Sequence, residues 1–161
     1  MSVKSWSLLA VGAAAVTGAV CLLIGCVPII RTAGYHEMVR AYQAAAPAEP
    51  RGGESQAFKW DFDVPLPAGG SVRVQAPGHP GVARVVYSDE SQPRDLYKYK
   101  DYSNPQAIRV AGRRLFVYFC VTLFHSECWL LDYDLVARTE AGRRRVDPKD
   151  LPATGSGASP R

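Results

Sequence analysis

The sequence predicts a mainly β fold: a small antiparallel sheet, as a meander, open barrel or sandwich, behind an N-terminal transmembrane or signal helix. Three observations predict it. Ser5 to Ile30 is a run of 26 residues without a charge, and about 20 apolar residues suffice to cross a hydrocarbon core as a helix. From Phe58 onward the apolar residues recur with period two, as in strands that bury one face. Cys120 and Cys128 fall in consecutive strand-like runs that can face each other in a hairpin.

At 161 residues the chain has room for one small domain once the N-terminal run is set aside. Residues 1–31 form a signal or transmembrane anchor, 32–57 a short helix and flexible tether, 58–152 the antiparallel β-domain, and 153–161 a disordered tail. Hydrophobic residues make up 47% and charged residues 21% of the chain, a globular balance that excludes wholesale disorder. Between Phe58 and Asp150, 14 basic residues stand against 12 acidic ones, with no basic stripe interleaved with aromatics. Nucleic acid is therefore not an expected partner.

The N-terminal run ends in Leu23-Ile24-Gly25-Cys26, after a short n-region containing Lys4. These four residues resemble the lipobox of bacterial lipoproteins. The resemblance implies cleavage before Cys26 and acylation of its thiol, so that acyl chains replace the helix as anchor. The run is also similar to an uncleaved single-span signal-anchor. Val27-Pro28-Ile29-Ile30 stays apolar past the cysteine, and Trp6 and Arg31 stand where interfacial residues belong. Under either reading the first partner is membrane lipid, met by the helix or by acylated Cys26. The signal-like n-region and the paired domain cysteines place the domain on the extracytoplasmic side, with an envelope protein as the expected second partner.

Tyr35, Met38, Val39 and Tyr42 have helical spacing, a short amphipathic extension of the anchor. His36-Glu37 begins like a zinc-protease motif, but Arg40 occupies the position of the required second histidine. Gln43 to Gln56 is rich in Ala, Pro and Gly without periodicity, the composition of a flexible spacer.

In the domain, Phe58, Trp60, Phe62, Val64 and Leu66 alternate with polar residues and Pro65, which reads as a strand whose far end lies at a sheet edge. Pro67 to Gly70 is a turn, Val72 and Val74 point inward from the next strand, and Val82 to Tyr87 is a third. Between Pro93 and Pro105, Leu96, Tyr97, Tyr99 and Tyr102 anchor a long loop. Ile108 to Leu135 is a hairpin region turning first at Ala111-Gly112-Arg113. Pairing Cys120 with Cys128 puts Val117 opposite Leu131, Phe119 opposite Trp129 and Tyr118 opposite Leu130, and a one-residue slip would exchange both faces. Facing cysteines on neighbouring strands lie within disulfide reach. Beyond the hairpin, Val136 to Thr139 is expected to continue the strand and Glu140-Ala141-Gly142 to turn it.

No catalytic, cofactor-binding or metal-ligating constellation is assigned. His36, His79 and His125 lack ligand-like spacing. Asp61/Asp63 and Asp132/Asp134 are pairs that each share a strand face, and they carry the alternative reading, an exported hydrolase or metal-dependent enzyme. Cys120 with His125 has the composition of a thiol nucleophile and base, but the opposing Cys128 favours a structural bond. Arg143-Arg144-Arg145 would split across two strand faces as a solvated edge. Leu151-Pro152-Ala153-Thr154-Gly155 matches the pentapeptide that sortases cleave, yet Ser156 to Arg161 supplies no hydrophobic helix, so the match is read as chance. The expectation is a membrane-anchored envelope protein whose β-domain binds or supports without catalysing.

Overall fold

The computed structural model describes residues 33–50, 58–78, 80–98, 102–122 and 127–151. The expected anchor with Cys26, together with His79, Tyr99, His125 and everything from Pro152 onward, lies outside them. Among the described residues no helix is long and apolar enough to cross a membrane.

The described chain opens with helix α1 (Ala33–Ala44) and the two-residue strand β1 (Ala46–Pro47). Next come β2 (Trp60–Pro65), β3 (Ser71–Ala76), β4 (Arg84–Tyr87) and β5 (Arg94–Asp95). The longer strands are β6 (Ser103–Ala111), β7 (Arg114–Val121), β8 (Glu127–Asp134) and β9 (Thr139–Arg145), followed by a 3-10 turn at Pro148–Asp150.

These strands form two antiparallel sheets, not one closed barrel: a four-stranded sheet β2-β3-β4-β5 and a five-stranded sheet β1-β6-β7-β8-β9. Alternation explains why the two face each other. Val72, Val74 and Val85 from the smaller sheet, and Leu115, Val117 and Leu131 from the larger one, are all fully buried in a single core. Each such side chain contributes about 1.5–3 kcal/mol by leaving water. Tyr97 crosses that core and stacks on Phe119 at 3.8 Å between ring centroids. Leu96 and Tyr97 therefore anchor their loop as expected, whereas Tyr102 is exposed.

The expected register of the β7–β8 hairpin is the observed one. Cys120 pairs with Cys128, Val117 with Leu131, Phe119 with Trp129 and Tyr118 with Leu130. The turns at Gly69-Gly70 and at Gly112 use positive φ, which glycine adopts without the steric cost a Cβ would add. Pro65 ends β2, an edge strand.

Three differences from the sequence reading have physical causes. First, the described part of the stretch read as anchor extension and spacer, up to Pro50, docks on the sheets through Pro47. Tyr35, Met38, Val39 and Tyr42 are buried, and Tyr42 meets Phe116 edge-on with centroids 6.4 Å apart. Tyr35 donates to the Asp150 carboxylate, while Arg109 reaches the carbonyls of Gln43 and Ala45. Ala46 and Pro47 then pair with β6. Helix α1 thus covers the outer face of the five-stranded sheet, where Phe116 and Leu130 are fully buried yet stand apart from the inter-sheet core.

Second, the turn after β8 comes earlier than its glycine suggests. The Asp134 carboxylate accepts from the amides of Val136 and Ala137, each at 2.9 Å, closing a side-chain-capped turn in which Arg138 takes φ 57°. Gly142 instead lies inside β9 beside a register shift, where an added Cβ would stand 2.8 Å from Met38 Cε of α1. Third, Pro105 lies within β6 at a bulge, a place that tolerates a missing N–H.

Candidate functional site

Three of the four aspartates of the alternative reading are brought to arginines. Asp61 accepts a two-pronged bond from Arg73 at 2.6 and 2.7 Å on the outer face of the four-stranded sheet. Asp63, two residues on, is exposed. On the outer face of the larger sheet, Arg114 holds the buried Asp132 through two nitrogens and also lies over the Phe116 ring. Asp134 sits 3.0 Å from Arg113. The turn amide of Ala137 does most to hold its carboxyl below the ordinary range, with the Val136 amide and the Arg113 charge adding to it. Among the described residues no three His, Cys, Asp or Glu side chains gather closely enough to hold a metal ion.

Cys120 and Cys128 stand with their sulfurs 2.12 Å apart, at bonding distance, half-buried on the face that α1 covers further along. The Tyr118 hydroxyl lies 3.6 Å from Cys120 Sγ. The bond ties the hairpin at the end away from Gly112. His36 is exposed on α1.

Sequence reasoning missed a clamp between the sheets. Arg94 grips Glu90 at 2.6 and 2.7 Å, and Arg138 reaches both Glu90 and Asp89 at 2.7 Å. Both guanidinium groups lie over the Tyr87 ring, whose hydroxyl donates to Leu135 O at 2.9 Å. Burial raises the Tyr87 phenol well above its ordinary range, and the arginine pairs lower both acids. These groups consume one another's hydrogen-bonding capacity. The clamp is therefore a fastening between sheets, with Arg138 supplied by the turn that Asp134 shapes.

A groove of about 350 Å³ opens along the side of the two-sheet layer, between β1 and β2. Pro47 and Glu49 line one bank, Phe62, Asp63 and Pro65 the other, with Val110 between them. Its volume is at the lower end of the roughly 300–1,000 Å³ usual for ligand sites. A second hollow of about 320 Å³ lies beside it along Trp60 and Ile108, and Trp60 Nε1 donates to Ala48 O at 3.3 Å across the divide. The groove's one sequence signal is Pro65 marking an edge, because β1 is too short to show a period.

Fold and site together define a small β-domain of two antiparallel sheets with a helix over one outer face. Comparison of the chain with protein-family models, with curated proteins and with solved structures finds no match.

Proposed function

We propose that this chain is a membrane-anchored protein of a bacterial envelope whose β-domain binds or supports another envelope component without catalysing a reaction. The observation that carries the reading is the state of the acidic residues. Asp61, Asp132 and Asp134, three of the four aspartates on which an enzyme reading rests, are each tied to an arginine, which leaves neither strand-face pair as two carboxylates open to a shared substrate or metal. Anchoring rests on the uncharged run from Ser5 to Ile30, through an intact helix or through acylated Cys26. The cysteine pair supports the extracytoplasmic side, because a bond between Cys120 and Cys128 persists in oxidising compartments and is reduced in the cytosol.

Intact-mass analysis of membrane-extracted protein, with and without reductant, tests both parts. A membrane-bound chain with one intramolecular bond is expected, beginning either at acylated Cys26 or at Met1. Recovery in the soluble fraction with free thiols at Cys120 and Cys128 would overturn the reading.

A further inference from the structure

Of the four edge strands, β9 and β2 differ most in charge. Strand β9 closes the five-stranded sheet with Arg143, Arg144 and Arg145, a charge run that discourages a further strand. Strand β2 closes the other sheet with no basic side chain, reading Trp60-Asp61-Phe62-Asp63-Val64-Pro65. Backbone direction at β2 follows from the bond of Leu66 N to Gly70 O, which continues the β2–β3 register. In an antiparallel pair the peptide groups of alternate residues turn toward and away from the neighbour. Phe62 and Val64 therefore bond toward β3, and Asp63 directs its N–H and C=O away from it, on the side of the 350 Å³ groove.

The groove joins these backbone groups to two kinds of side chain. Phe62, Val64 and Val110 give it an apolar interior. Glu49 and Asp63 stand exposed at its two banks, and no hydrogen bond or ion pair engages either carboxylate among the described residues. Apolar lining, an unpaired peptide edge and two exposed carboxylates, of which Asp63 also feels the Arg73 charge opposite it on β3, match one chemistry. That chemistry is an extended polypeptide with alternating apolar and basic side chains.

We propose that the groove between β1 and β2 receives an extended basic peptide segment of a partner protein, added as a strand on β2. Main-chain bonds at Asp63 supply the pairing, as in other strand-addition complexes. An apolar side chain enters beside Phe62 and Val110, and the neighbouring basic side chain points out to Glu49 and Asp63. Pro65 offers no N–H on this side, so the added strand is short. The inference builds on the reading of the domain as a binding module and does not involve the anchor, so it and the anchoring proposal fail separately.

The test uses the full chain in neutral detergent micelles and the probe fluorescein-Lys-Val-Lys-Val-Lys-amide, followed by fluorescence anisotropy, with empty micelles and the glutamate-for-lysine peptide as controls. Saturable binding of the lysine peptide alone is expected. The exposed double substitution Glu49→Gln with Asp63→Asn is expected to weaken it roughly tenfold, and hydrogen exchange at the Asp63 amide is expected to slow on binding. Unchanged affinity in the double variant, equal binding of the glutamate peptide, or protection at a different strand would overturn the proposal. So would a concentration-dependent dimer that already protects Asp63, which would make a second copy of this chain the occupant.

Discussion

The two faces of the β7–β8 hairpin are buried by different means. The inner face presents Leu115, Val117, Phe119, Leu131 and Tyr133 to the other sheet, strand against strand. The outer face presents Phe116, Tyr118, Leu130 and the Arg114–Asp132 pair, under a helix of 12 residues with two buried tyrosines. The inner face is apolar through its centre and turns polar only at Glu127, at the strand's end. The other mixes apolar burial with an ion pair, because a single short helix cannot cover a whole sheet and leaves room for polar groups at its flanks. A strand written almost continuously in apolar residues is covered on both sides, and β7, reading Leu115-Phe116-Val117-Tyr118-Phe119, is of that kind.

Truncating a core side chain on either face is expected to have the largest effect. Leu131→Ala on the inner face is expected to cost about 2–5 kcal/mol, and Phe116→Ala beneath α1 about 3–5 kcal/mol, both read by denaturant unfolding. A Phe116→Ala cost well under 1 kcal/mol would mean that α1 does not hold the sheet. Next in size is the cysteine pair at the end of the outer face. Closing a short loop between strands, the Cys120–Cys128 bond is expected to add roughly 2–3 kcal/mol, so reduction, or Cys120→Ala with Cys128→Ala, should lower the unfolding midpoint accordingly.

A smaller effect tests the helix contact itself. Gly142→Ala places a methyl group against Met38 Cε, and the thioether end can move, so a loss of less than about 1 kcal/mol is expected. The loss should shrink in a Met38→Ala background, and strict additivity of the two substitutions would show that the residues are not in contact. The smallest expected effect is in acid. Because the Asp134 carboxyl is held below its ordinary value, its contribution is complete above its unfolded pKa of about 3.9 and is lost as pH falls through the lower folded value. Asp134→Ala should therefore flatten the acid limb of a stability profile and leave its shape near neutrality unchanged.

How far these features are legible in the sequence follows from how local their causes are. The hairpin register is legible because one parity satisfies Cys120 with Cys128 and Phe119 with Trp129 together. The β8–β9 turn is misread because its cause is a carboxylate, Asp134, while the glycine that advertises a turn is Gly142, which lies in β9 against a methionine more than a hundred residues earlier in the chain. The spacing of Tyr35, Met38, Val39 and Tyr42 shows that α1 has an apolar face, but nothing local says which sheet that face covers. The β1–β2 groove is less legible still. It exists only where Ala46 and Pro47 come to lie along β6, and two residues cannot display a period.

The docking of α1 also has a mechanical reading. The described domain is entered through this helix, so a pull applied at its first residue loads the Tyr35–Asp150 hydrogen bond and the buried Met38 and Tyr42 contacts before any strand. Peeling a helix from a sheet breaks contacts one after another, whereas shearing paired strands breaks their backbone bonds together. Helix α1 would therefore yield first under tension, uncovering Phe116 and Leu130 while the Cys120–Cys128 bond keeps β7 and β8 joined.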